Sequence, residues 1–137
     1  MVERLVANEK VEGSTPFARS NFFMSDLLNK KCVPCEGGIS PFDISEIHKY
    51  QKKVDGWDIK KDENEFFFLY KEFKFKNFNE SQKFINEVGV ISEKEGHHPD
   101  ISFGWGYARI IITTHAIEGL YENDFILAAK IDQITSV

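Results

Sequence analysis

The chain has 137 residues, 42% of them hydrophobic and 28% charged, a balance that can bury a core without disulfide support and is too apolar for a disordered segment. A net charge of -5 and a pI near 5.4 exclude a broad electrostatic grip on nucleic acid, which needs clustered Lys and Arg. With no run of about 18 apolar residues and no charged-then-apolar leader at the amino terminus, the protein is expected in the cytoplasm, without membrane or nucleic acid as direct partners.

Residues 1–23 mix charge with Gly13, Ser14, Pro16 and Ser20 and show no sustained periodicity, so a poorly ordered extension is expected there and a single domain over 24–137. The run Glu12-Gly13-Ser14-Thr15-Pro16-Phe17 can be encoded by DNA resembling a transfer-RNA T-arm, which places the expected start of translation at Met24. The stretch from Met24 to Pro41, punctuated by Pro34, Gly37 and Gly38, reads as loop. Its Cys32 and Cys35 form Cys-x-x-Cys. A zinc site needs four ligands and no second pair or nearby histidine completes one, and a redox pair belongs on a strand-to-helix turn. Two reduced thiols in a loop are expected.

Asp43, with Glu46 three residues on, caps a first helix whose stripe is Ile44, Ile47, Tyr50 and Val54, with Gly56 as its stop. His48 falls off that stripe and is expected on the surface. Trp57–Lys60 and Glu65–Lys76 read as a hairpin around the polar turn 61–64, the aromatic run Phe66–Phe68 being assigned to the core in preference to a partner surface. Asn79 is expected to cap a second helix with stripe Phe84, Ile85, Val88 and Ile91, ended by Gly96. Asp100–Trp105 and Tyr107–Thr114 form a second hairpin, and Asn123 caps a last helix over Asp124–Gln133. The order α-β-β-α-β-β-α predicts an α+β fold, a four-stranded antiparallel sheet with helices packed on one face.

Three of the four histidines fall between Gly96 and Ala116. Pro99 disfavours a helical His98, so the chain leaves Gly96 extended and the His97 and His98 side chains diverge. His115 lies one hairpin later, so an antiparallel return brings it back to the end of the sheet that holds His97. Imidazoles suit proton transfer near neutral pH because their free pKa is about 6.5. Taken singly, each residue also has a plain reading: a surface or structural histidine, Glu93 as a solvent-facing last-turn residue, Asp124 as a favourable charge at a helix amino terminus.

Jointly they match more. Glu93-Lys94-Glu95-Gly96-His97-His98-Pro99, Thr114-His115 and Asn123-Asp124, together with Phe73-Lys74-Phe75-Lys76-Asn77-Phe78, Gly104-Trp105-Gly106 and Asn123–Ala129, resemble the pterin-4a-carbinolamine dehydratase family in its bacterial form, over about Lys31 to Gln133. The resemblance implies dehydration of 4a-hydroxytetrahydrobiopterin to the quinonoid dihydropterin, with the pterin as substrate and no metal or organic cofactor. It implies His97 and His115 as the acid/base pair, His98 holding or polarising the substrate, and Glu93, Asp124 and Thr114 contacting substrate or orienting the imidazoles. It also implies a homodimer or homotetramer. Gly96 and Asn123 depart from animal members, which carry an acidic or amide residue and an arginine at those places. Because animal members also serve a homeodomain transcription factor as dimerisation cofactors, a non-catalytic interaction protein is the alternative, with a metal-dependent hydrolase using the His and carboxylate cluster a further one.

Overall fold

A computed structural model of the protein describes residues 27–32 and 39–135; the expected extension, the Met24 start and Cys35 lie outside them. Where loop was expected, Leu27 and Leu28 are helical and Leu27 is fully buried. Helix α1 spans Ile44–Gln51 and starts as expected, the Asp43 carboxylate accepting the Glu46 N–H at 2.9 Å. It stops earlier than its stripe: Lys53 and Val54 donate to the carbonyls of Tyr50 and Gln51, three residues back, and such tightened bonds end the helix before Val54. Gly56, with φ +78, turns the chain after the helix rather than capping it.

Strands β1 (Asp58–Lys61) and β2 (Phe67–Lys74) pair antiparallel, joined by a turn in which the Asp62 side chain accepts the N–H groups of Asn64 and Phe66. The pleat splits the aromatic run that was assigned to the core. Phe67 packs against it, whereas Phe68, one residue on, faces the opposite side of the sheet from fully buried Leu69 and Phe66 lies with it along an outer cavity.

Helix α2 covers Phe78–Glu95. Its cap is Asn77 and not Asn79: extended Asn77 accepts the Glu80 N–H at 2.9 Å, so two more residues join the first turn. Phe84 and Val88 face inward, and the buried hydroxyls of Ser81 and Ser92 bond back to the carbonyls of Asn77 and Val88. Strands β3 (Asp100–Gly104) and β4 (Tyr107–Ile112) form the second hairpin, and β4 pairs with β2 to give the antiparallel order β1-β2-β4-β3.

The last helix, α3, runs Glu122–Thr135 rather than starting at Asp124. Asp124 lies inside its first turn and accepts the Tyr121 N–H at 3.0 Å, the reaching-back half of a capping box. Asn123 through Ala129 are all buried, as expected of a helix enclosed by other elements. The helices cover one face of the sheet: Leu69, Phe73, Ala108, Ile110 and Ile112 share a core with Val88 of α2 and Phe125 and Ile131 of α3. Beneath α3, Asp132 accepts the Trp57 indole N–H at 3.0 Å and pairs with Lys71 at 2.8 Å. No described helix is long and apolar enough to cross a membrane.

Candidate active site

Gly96 determines where the imidazoles go. At φ +67 it occupies the left-handed region, which a residue without Cβ enters at little cost. Its N–H and that of His97 bond back to the carbonyls of Glu93 and Ser92 at 3.3 and 3.1 Å, the Schellman ending of a helix. The His97 backbone is thus tied to the end of α2, and the next residue leaves extended ahead of Pro99.

As the spacing predicts, the two histidines diverge. His97 turns inward, its side chain 13% exposed, with Nε2 2.9 Å from Oδ1 of Asp124. His98 stays at the surface, its Nε2 2.9 Å from Oε2 of Glu93; with both partners exposed, that pair orients an imidazole more than it stabilises the fold. Asp124 is fully buried, and its other oxygen accepts the Thr114 hydroxyl at 2.8 Å and the Tyr121 N–H. An ionised carboxylate only accepts, so the network assigns the proton to Nε2 of His97 and leaves Nδ1 as its accepting nitrogen.

His115 arrives from the other side. Thr114 pairs with Gly119 in an isolated antiparallel bridge, the Thr113 hydroxyl donates to the Phe67 and Gly119 carbonyls, and a short 3-10 turn His115–Ile117 follows. His115 and the two α2-terminal histidines line one cavity of about 280 Å³, closed by Gly96, Thr114 and Asn123. That volume falls just below the ~300 to 1,000 Å³ usual for small-molecule sites, a size for a compact ring. The convergence of His97 and His115 expected from the hairpin is observed. Glu93 and Asp124 do not line the cavity; they stand behind His98 and His97.

Sequence reasoning missed the layer beneath. Cys32 is a free thiol outside helix and strand, as expected, but it is buried; its N–H donates to Oε1 of Glu95 at 2.9 Å and its thiol lies 3.5 Å from the Asn123 carbonyl. Glu95 pairs in turn with Lys130 at 2.6 Å. Burial pushes the Glu95 carboxyl up, but the Lys130 ammonium and the Cys32 N–H together hold it below its usual range. The Asn123 amide bonds the buried Tyr121 hydroxyl, so Asn123 builds the wall of the cavity where an arginine was noted in animal members. No periodicity marks these residues; they meet only once α2, α3 and the amino-terminal segment are packed.

Burial, followed by the neighbouring Glu95 carboxylate, pushes the Cys32 thiol up to about 12. Cys32 is therefore expected to resist iodoacetamide at pH 8 in the folded protein and to react on unfolding, checked by mass spectrometry of peptides. The folded value exceeds the unfolded one, so the thiol contributes stability below pH 9 that is lost as pH rises toward 12. Relative to wild type, a Cys32→Ala variant is expected to lose less of its melting temperature over that interval.

The model of the pterin 4 alpha carbinolamine dehydratase family matches residues 40–134, which include both hairpins and every residue of the cavity. The chain belongs to the pterin-4a-carbinolamine dehydratase family. A relative from Rubrobacter xylanophilus, provisionally named pterin-4-alpha-carbinolamine dehydratase, is 43% identical over 81% of this chain and 100% of its own length; one from Halorhodospira halophila with the same provisional name is 46% identical over 79% and 96%. A crystal structure from Brucella melitensis described as a transcriptional coactivator/pterin dehydratase superposes with a TM-score of 0.62 at 26% identity, covering 69% of this chain and 98% of that one. The family's pterin dehydratase fold is the one described above.

Proposed function

We propose that this chain dehydrates 4a-hydroxytetrahydropterin to the quinonoid dihydropterin by histidine acid/base catalysis. The observation that carries the proposal is that His97 and His115, from opposite ends of one hairpin, line a single cavity, with His97 braced by a fully buried carboxylate. In the reaction the bond from C4a to its hydroxyl oxygen breaks as a proton is delivered, and water leaves. A proton is removed from the adjacent ring nitrogen, whose electron pair completes the new C=N bond. One imidazole gives a proton and the other takes one, so the balance closes without a redox partner, and neither metal nor organic cofactor enters it.

His98, at the rim and held by Glu93, polarises or holds the ring. Asp124, through Thr114 and His97, acts as a positioning residue that fixes tautomer and ring orientation. A homodimer or homotetramer working in the cytoplasm is part of the proposal.

The test is the decay of freshly generated carbinolamine, followed by ultraviolet absorbance, with purified protein at micromolar concentration. Acceleration well above the spontaneous rate, undiminished by chelator, is expected. No acceleration would overturn the proposal in favour of a non-catalytic interaction role, and loss of the acceleration with chelator in favour of a metal site.

A further inference from the structure

Thr113 and His115 line a second cavity as well, of about 410 Å³. It lies on the sheet face turned away from the helices. Ile110 and Ile112 of β4 point into the core, so Ile111 between them points outward, and Phe68 of β2 does the same. Both side chains line this cavity, together with Phe66 from the turn before β2. The aromatic run that the core leaves unused therefore forms a floor beside the candidate active site.

The rim has one sign of charge. Asp100, opposite Ile111 in the β3–β4 register, lines the cavity with Asp62 and Glu118, and no Lys or Arg among the described residues does. Asp62 is committed to its turn through the N–H groups of Asn64 and Phe66, which leaves Asp100 and Glu118 to set the potential. The β1 cations are held over rings: Lys60, the register partner of Phe68, sits 4.6 Å over Tyr70, and Lys61 sits 5.1 Å over Phe67, which also lines the cavity, and 3.7 Å from Glu65.

An apolar floor takes the carbon skeleton of a ligand, and carboxylates at the rim accept from its hydroxyl groups while repelling anions. The shared wall residues Thr113 and His115 set the second cavity against the first, which gives the occupant: a chain attached to whatever ring lies there. We propose that the second cavity receives the ring substituent of the pterin and selects neutral, hydroxyl-bearing chains over anionic ones such as phosphate esters. The proposal rests on the reading of the first cavity as a pterin site.

The experiment compares kcat/KM for three carbinolamines, bearing a 6-methyl group, a 6-(1,2-dihydroxypropyl) chain or a 6-hydroxymethyl phosphate. Wild type is expected to favour the dihydroxypropyl substrate over the phosphate by about tenfold or more. Phe68→Ala is expected to lower the dihydroxypropyl-to-methyl ratio about fivefold, the scale set by losing apolar contact with a substrate chain. Asp100→Lys, an exposed change that leaves the core untouched, is expected to raise the phosphate-to-dihydroxypropyl ratio about tenfold through reversal of the rim charge. Turnover of all three substrates with ratios within about twofold in both variants would overturn this proposal alone. Turnover of none by wild type would overturn the pterin reading and this proposal with it.

Discussion

Replacing Asp124 with asparagine is expected to lower kcat by about 10²- to 10⁴-fold while the protein stays folded. The amide is nearly the same shape, and its oxygen can still accept from the Thr114 hydroxyl and the Tyr121 N–H, as one carboxylate oxygen now does. Its NH₂ then faces Nε2 of His97, 2.9 Å from the other oxygen. Two donors cannot share that contact, so His97 shifts its proton to Nδ1 and presents the wrong tautomer to the cavity. Asp124→Ala separates orientation from stability: it leaves a buried hydroxyl and an N–H without their acceptor, a cost of about 2 to 4 kcal/mol. Urea denaturation and the carbinolamine assay on both variants check the contrast, in which only the alanine variant loses substantial stability.

A stability effect of similar size is expected from Lys71→Met, about 3 kcal/mol at pH 7, because it takes the ammonium partner from a buried carboxylate. Asp132 has a side chain only 5% exposed. Burial pushes its carboxyl up, against the pull of Lys71, the Trp57 indole N–H and the Asp55 N–H. A raised folded value means that the contribution of this group is full below the unfolded carboxylate range and is lost as pH rises through the folded value. Losing Lys71 raises the folded value further. The gap between wild type and Lys71→Met is therefore expected to be small near pH 3, where Asp132 is protonated in both, and to widen toward neutrality. Adding Asp132→Asn to the variant removes the stranded charge and is expected to recover most of the loss. Equal destabilisation at pH 3 and pH 7, measured by chemical denaturation, would contradict this.

The fold was legible in the sequence because its signals are local: the Asp43 cap, the alternation in Asp100–Gly104, and Gly96 at the one place where α2 needs a left-handed residue. Errors fell where two local solutions compete. Asn77 and Asn79 can each cap α2, and only the extended backbone at Asn77 decides between them. Asn123 can cap a helix from outside or sit within its first turn, as it does here, and the sequence does not distinguish the two. The aromatic run Phe66–Phe68 shows apolar character but not which members the pleat turns outward. Within the site, the divergence of His97 and His98 and the return of His115 were readable from Pro99 and the hairpin, whereas Glu93 and Asp124 came only from the family resemblance. The Cys32–Glu95–Lys130 layer was not readable, since it joins residues 63 and 35 positions apart with no repeating pattern to announce it.

The central claim, that imidazoles from the end of α2 and from the 3-10 turn share one proton-transfer site, is tested most directly by the rate of carbinolamine loss in wild type, His97→Ala, His115→Ala and the double variant, with His48→Ala as control. Each single change at the site is expected to lower kcat by about 10²-fold or more, and the double to be far less damaging than the product of the two, because both serve one reaction. His48→Ala, on the exposed face of α1, is expected to match wild type. A His115→Ala variant that keeps the wild-type rate would contradict the account.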